Sequence, residues 1–252
     1  MKKIIVANWK MNPSTAREAK KLFSAVKGKA ASLGGNVEVV VAPPFVYLPI
    51  LGKSTKIKLA AQDVFFKEEG PFTGEVSPAM LSHLGVSYAI IGHSERREHV
   101  GESDEMIHKK ILAAASRRIR AILCVGENER HREGFPPRVR EELFSALKGV
   151  PRPLASRVLI AYEPLWAIST NKGAHEDSPE SVFEMAIFIR RTIMDIWGKK
   201  EAFTVPILYG GSVNPKNAQG FLGVKGISGL LVGGASLRAG EFGDILSVAA
   251  SL

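Results

Sequence analysis

The chain has 252 residues, 45% hydrophobic and 23% charged, with one cysteine and a formal net charge of +9. That length suits a single domain, residues 1–252, large enough to bury a sizeable core. Lone Cys124 excludes an internal disulfide or a cysteine cluster for zinc, and no apolar run approaches the roughly 18 residues of a membrane span.

The first ten residues, Met-Lys-Lys-Ile-Ile-Val-Ala-Asn-Trp-Lys, are basic and then apolar, as a secretion signal begins. The apolar part lasts only about four residues before Asn8, Trp9 and Lys10, so it reads as a first strand, with the cytoplasm as the expected location. Charge is unevenly spread. Residues 1–60 hold 11 Lys and Arg against Glu18 and Glu38, which equals the whole excess. A solvated surface and the attraction of an anionic substrate both fit that bias. Nucleic-acid binding fits less well because no motif accompanies it, so neither nucleic acid nor a membrane is an expected partner.

Short β-branched runs alternate with helical patterns along the whole chain, with no linker or composition break. Eight strand candidates follow in order: Ile4 to Asn8, Val37 to Ala42, Ile57 to Ala61, Tyr88 to Ile91, Ala121 to Val125, Val158 to Tyr162, Val205 to Tyr209 and Leu230 to Val232. A helix is predicted from Thr15 to Ala31, where Thr15 and Glu18 have capping-box spacing. Another runs from Ser178 to Trp197, with Val182, Met185, Ala186, Ile189 and Ile193 on one face. Such alternation calls for parallel pairing, and a single closed (β/α)8 TIM barrel with an outer ring of helices satisfies it.

Polar residues fall where the strands stop: Asn8 and Lys10, Gln62, His93, Glu163, Ser212, and Gly233 with Gly234. Barrel enzymes carry their chemistry on that face. Pro164 cannot donate to a ladder, so the sixth strand ends by delivering Glu163 to the edge. Trp166 and the small, polar run from Ser169 to Ala174 resemble a flap with an aromatic hinge. A lone carboxylate beneath a closing lid suits a general base, although a surface Glu before a loop proline fits the segment too. If a helix starts near Ser94, its free N–H groups keep His93 neutral, as a hydrogen-bond donor to a carbonyl or simply as a cap. The other histidines (His83, His99, His108, His131, His175) show no metal-ligand spacing and read as surface residues. Tyr209-Gly210-Gly211-Ser212 and Val232-Gly233-Gly234-Ala235 are either tight turns or anion cradles opening onto helix starts. Their place after strands seven and eight matches the recurrent phosphate site of the fold. Lys10 offers a cation to a dianion and to an oxyanion, with Glu95 as its partner, unless it is one more lysine of a basic stretch.

Together Ala-Asn-Trp-Lys-Met-Asn (7–12), Ile-Gly-His-Ser-Glu-Arg-Arg (91–97), Ala-Tyr-Glu-Pro-Leu-Trp-Ala-Ile (161–168), Tyr-Gly-Gly-Ser-Val (209–213) and Leu-Val-Gly-Gly-Ala-Ser-Leu (231–237) resemble the triosephosphate isomerase family. The resemblance implies interconversion of dihydroxyacetone phosphate and D-glyceraldehyde 3-phosphate through an enediolate, in glycolysis and gluconeogenesis, with no metal or organic cofactor. It implies that Glu163 is the base and His93 the neutral electrophile. Asn8, Trp9 and Lys10 would bind substrate, and backbone N–H groups at Ser169, Ser212, Gly233 and Gly234 would hold its phosphate. Ser94, Glu95, Cys124 and Tyr209 would support the site, Ser94 touching the base when the lid is open and Cys124 packing behind it. Pro164, Trp166, Ser169, Thr170, Asn171 and Ala174 belong to the lid. A homodimer, or a tetramer, is implied through the loop Asp63 to Pro78, which carries Phe72-Thr73-Gly74-Glu75.

One departure stands out. The family lid reads Ile-Gly-Thr-Gly-Lys, whereas this chain has Ile168-Ser169-Thr170-Asn171-Lys172. A side chain at Ser169 would strain the closed state by about 1–2 kcal/mol if an unusual φ is needed there, so slower or weaker lid closure is expected. A sugar-phosphate epimerase, which needs metal-ligating His and Asp at several strand ends, is one alternative. A non-catalytic phosphate-binding barrel is the other.

Overall fold

The computed structural model describes residues 2–33, 35–52, 54–129, 135–168 and 175–252. Eight strands form a closed, wholly parallel barrel in chain order: β1 (Lys3–Asn8), β2 (Val37–Ala42), β3 (Lys58–Ala61), β4 (Tyr88–Ile91), β5 (Arg120–Val125), β6 (Val158–Tyr162), β7 (Ile207–Tyr209) and β8 (Gly229–Val232). Closure comes from β1, which pairs with β2 on one side and with β8 on the other. All eight predicted strands are present, with starts that differ by at most two residues. The seventh is shorter than expected because Pro206 cannot donate to the ladder; its carbonyl accepts from Ile160 N–H at 2.9 Å instead.

Helices ring the barrel: α1 (Ala16–Ser32), α2 (Leu48–Leu51), α3 (Pro78–His83), α4 (Ser94–His99), α5 (Asp104–Ser116), α6 (Pro137–Leu147), α7 (Pro179–Trp197), α8 (Lys199–Thr204), α9 (Ala218–Gly223) and α10 (Ala239–Ala250). Thr15 caps α1, its hydroxyl accepting from Glu18 N–H at 3.2 Å and donating to the Glu18 carboxylate at 2.8 Å. The face Ala19, Phe23, Val26 and Ala30 recurs at helical spacing and is buried against the sheet. In α7, capped by Ser178, the five residues expected on one face are all buried. Among the described residues no helix is long and apolar enough to cross a membrane.

Strand parity sorts the core into two layers. Ile4 and Val6, Val40 and Ala42, Ile122 and Cys124, and Leu159 and Ala161 fill the barrel interior. Their immediate neighbours, such as Ile5, Ala7, Val41, Leu123 and Ile160, pack outward against the helices. Successive side chains alternate across a strand, so one more step of the inward series reaches Asn8 on β1 and Glu163 after β6. The same parity turns Trp9 outward, where it is fully buried in the barrel-to-helix layer. The loop after β3 folds on itself through Phe65 N–H to the Val76 carbonyl (2.9 Å) and contacts of Phe65 with Phe66 and Phe72, leaving residues 67–75 exposed.

Candidate active site

The C-terminal ends of the strands surround a cleft of about 280 Å³ lined by Asn8, Lys10, His93, Glu163, Ser212, Gly233, Gly234 and Arg238, among others. That size lies just below the roughly 300–1,000 Å³ of drug-sized ligand sites, so it suits something smaller.

Glu163 leaves β6 anchored by its own backbone, N–H to the Val125 carbonyl at 2.8 Å. Its side chain is 3% exposed, with Oε1 3.3 Å from His93 Nε2 and Oε2 accepting from the Ser94 backbone N–H at 3.3 Å. Two glycines make room for it. A methyl at Gly126 would lie 1.8 Å from the Glu163 carbonyl oxygen, and one at Gly210 would lie 3.0 Å from its Cγ.

His93 caps α4, and its Nδ1 accepts the Glu95 backbone N–H at 3.3 Å. A ring nitrogen that accepts a hydrogen bond carries no proton, so this geometry assigns a neutral imidazole with Nε2–H turned toward Glu163. Lys10 has a left-handed backbone, φ 52°, tied by its N–H to Asn8 Oδ1 at 3.0 Å and by its carbonyl to Gln62 Nε2 at 2.8 Å. Its ammonium bonds Glu95 Oε1 at 2.5 Å. Burial pushes the Glu95 carboxyl up, but the hydrogen bond from Lys10, first among several opposing influences, helps hold the group below the ordinary range.

The last two turns, where an anion is expected, line the cleft and open onto helix starts only in part. After β8, Gly233 caps a short helical turn, Gly234–Leu237, as expected. After β7 no helix starts until Ala218. The turn is shaped instead by Asn217, whose side chain accepts from Asn214 N–H at 2.8 Å and donates to the Ser212 carbonyl at 3.1 Å. Ser212 N–H reaches the Ala167 carbonyl at 3.1 Å, joining this turn to the base of the flap.

Supporting residues fall into place around these. Cys124 is fully buried beneath Glu163; burial first, and then the Glu163 charge, push its thiol far up, so it stays protonated. Tyr209 stacks on Phe221 at 4.2 Å, and burial, then the charge of Asp177, push its phenol up. Trp9 is a correction: it was expected to bind substrate, but its outward parity buries it away from the cleft. The lid residues Ser169, Thr170, Asn171 and Ala174 lie outside the described residues. Pro164 and Trp166 lie at the flap's near end.

Sequence reasoning missed several of the site's supports. Glu127, buried in the Cys-x-Gly-Glu segment, accepts from Tyr162 hydroxyl at 2.6 Å and Trp166 Nε1 at 3.2 Å, and its carbonyl takes Leu165 N–H at 2.9 Å. His175, read as a plain surface residue, stacks on Trp166 with centroids 4.6 Å apart and donates its backbone N–H to the Trp166 carbonyl at 3.0 Å, so the residues flanking the expected flap meet. Arg238 adds a second cation to the lining beside Lys10. Spacing carries no sign of these contacts; a Glu two residues past a strand end is the one signal the sequence offers for Glu127.

Proton transfer on a small anion is the chemistry this arrangement supports, which sets the chain among the barrel isomerases. A family model described as triosephosphate isomerase matches residues 3–249. Relatives named triosephosphate isomerase include one from Caldanaerobacter subterraneus subsp. tengcongensis, 44% identical over 252 residues, with 97% of this chain and 98% of the relative covered. Another, from Aquifex aeolicus, is 44% identical over 98% of this chain and 99% of its own length. A third, from Dictyoglomus turgidum, is 41% identical over 97% and 98%. The chain belongs to the triosephosphate isomerase family. It is an isomerase that interconverts dihydroxyacetone phosphate and D-glyceraldehyde 3-phosphate, a glycolytic step. Neither the epimerase nor the non-catalytic alternative finds support in these matches.

Proposed function

We propose that Glu163 is the base, taking a proton from one substrate carbon and returning it to the next, while His93 polarises the carbonyl by donating from Nε2. Neutral His93 carries this reading: its Nδ1 is occupied by the Glu95 N–H, and its protonated nitrogen lies 3.3 Å from the base. A neutral donor stabilises a developing enediolate oxygen without first forming an ion pair with Glu163. Lys10 supplies fixed positive charge beside Asn8, and N–H groups of Gly233 and Gly234 hold the phosphate, joined by that of Ser212 once it leaves the Ala167 carbonyl. Ser169 belongs to this set through the family resemblance alone. Glu163→Ala should abolish isomerisation and the uptake of solvent deuterium at substrate carbon, while a phosphate-bearing inhibitor still binds. Deuterium uptake by the variant at the wild-type rate would sink the assignment.

We read the chain, residues 1–252, as one barrel domain that works in the cytoplasm as a homodimer through the loop Asp63 to Pro78. The exposed apolar side chains Met11, Val46, Phe72 and Met80, all in segments following the first three strands, support that face as the contact. Sedimentation at micromolar concentration should give twice the chain mass; a monomer there would refute the dimer.

A further inference from the structure

Four charged side chains meet behind α4. They are Asp63, two residues past β3, Arg96 in α4, Glu102 in the turn before α5, and Lys110 in α5. The Lys110 ammonium reaches both Asp63 carboxylate oxygens at 2.8 Å and also bonds Glu102. Arg96 Nη2 lies 2.7 Å from Asp63 Oδ2, and its Nε lies 3.6 Å from Glu102. Three of the four are almost fully buried, whereas the Arg96 side chain is 29% exposed.

Burying ions costs solvation that pairing seldom returns as stability. Lys110 already has Glu102, and Arg96 has access to water, so neither cation requires a second buried carboxylate. What sets Asp63 apart is its place in the chain. It follows Gln62, whose Nε2 donates to the carbonyls of Lys10 and Ala42, both at 2.8 Å. Arg96 in turn follows Glu95, which grips the Lys10 ammonium, and the Arg96 N–H bonds the His93 carbonyl at 2.9 Å. Lys10 is therefore held at its backbone by residue 62 and at its charge by residue 95. The pair formed by the next residues, 63 and 96, locks the two holders together.

We propose that Asp63 is a positioning residue for the isomerisation: through Arg96 it fixes the first turn of α4, and so the Glu95–Lys10 pair and the His93 imidazole, against Gln62 and the Lys10 backbone. This rests on the roles given above to Lys10 and His93. The charged groups facing Asp63 are Lys110 from α5, Arg96 from α4 and Glu102 from the turn between them. Burial, partly offset by Lys110 and Arg96 and reinforced by Glu102, raises the Asp63 carboxyl to about 6. Asp63 accordingly loses its charge on mild acidification, and with it the ion pair to Arg96.

Asp63→Asn keeps the shape and removes the charge. The quantity to measure is the ratio of wild-type to variant kcat/KM between pH 5 and pH 8, with kcat and KM resolved separately. Ionisations shared by both proteins, such as those of Glu163 and the substrate phosphate, cancel in that ratio. It should be about tenfold at pH 8, the scale of a sub-ångström misplacement, with part of the loss in kcat. It should fall toward one by pH 5, as wild-type Asp63 takes up a proton and comes to resemble the amide. A merely structural Asp63 would leave the folded variant with a ratio that does not change with pH, and that result would overturn the proposal. Should Asp63→Asn fail to fold, Arg96→Met removes the other end of the pair from a part-exposed position. The same convergence is expected there, and a flat ratio is again the refutation. Wild-type protein that does not isomerise at all would strike instead at the roles assigned to the cleft.

Discussion

Gly210→Ala tests how tightly the base is held. The new methyl would sit 3.0 Å from Glu163 Cγ, 3.3 Å from the Tyr162 carbonyl oxygen and 3.7 Å from Glu163 Oε1. Ordinary contact begins near 3.4 Å, so the Glu163 methylene must move by a few tenths of an ångström. It can do so, because the offending atom belongs to a side chain and the backbone oxygen is only marginally close. A full ångström of misplacement can cost about 10²-fold in rate, so a shift of less than half that should cost about tenfold in kcat, or roughly 1.4 kcal/mol of barrier. Folding should suffer little, about 1 kcal/mol at the low end of overpacking.

The assay is steady-state isomerisation together with the affinity of a phosphate-bearing inhibitor and the urea midpoint. The expected pattern is a lower kcat, near-constant inhibitor affinity and a small stability loss, since the nearest atoms outside its own turn that the methyl meets belong to Glu163 and Tyr162. Gly126→Ala is the contrast. Its methyl would lie 1.8 Å from the Glu163 carbonyl oxygen, a backbone atom that cannot step aside without separating β5 from β6. That variant should lose well over 1–3 kcal/mol of stability along with its activity. If Gly210→Ala kept kcat within twofold of wild type, the idea that Glu163 is confined by its neighbours would be wrong.

Lys10→Met keeps most of the stem and removes the charge; kcat/KM should fall about 10²–10³-fold, with a melting temperature within a few degrees of wild type. An unchanged KM and kcat would show that Lys10 is ordinary surface charge. Glu127→Ala takes away the acceptor of Tyr162 hydroxyl and Trp166 Nε1, so stability should drop by about 1–3 kcal/mol and the inhibitor should leave faster as the base of the flap loosens. Unaltered urea midpoint and dissociation rate would refute that role. Asp63 also predicts a pH dependence of stability. Its folded carboxyl titrates at about 6, above the ordinary 3.8, so between those values the folded chain binds the extra proton and stability falls as pH rises. Relative to Asp63→Asn, wild type should therefore lose on the order of 2–3 kcal/mol between pH 4 and pH 7 in urea titrations. A difference that is constant with pH would show that Asp63 is not raised.

Much of the site that could be read from sequence continues a strand's own periodicity; His93, which shares the parity of Ile91, reaches the cleft instead through the turn at Gly92, φ 72°. Ile4 and Val6 point inward, so Asn8 does too; Leu159 and Ala161 point inward, so Glu163 follows them over the rim. Trp9 has the parity of Ile5 and Ala7 and, with no such turn before it, is buried with them. Lys110 shows the equivalent rule for helices. It shares a stripe with Ile107, Ile111 and Ala114, so helical spacing alone puts its charge inside and demands a buried partner. What spacing cannot supply is the partner's identity. Asp63 and Lys110 are 47 residues apart, Glu127 and Trp166 are 39 apart, and Lys10 and Glu95 are 85 apart. Each pair forms only because the parallel barrel brings together segments that follow different strands. Residues that face the cleft are thus local consequences of a strand ending, whereas the contacts that aim them are consequences of topology. A change in the second group should accordingly alter kcat, pH response or lid kinetics before it alters the ability to bind a phosphate.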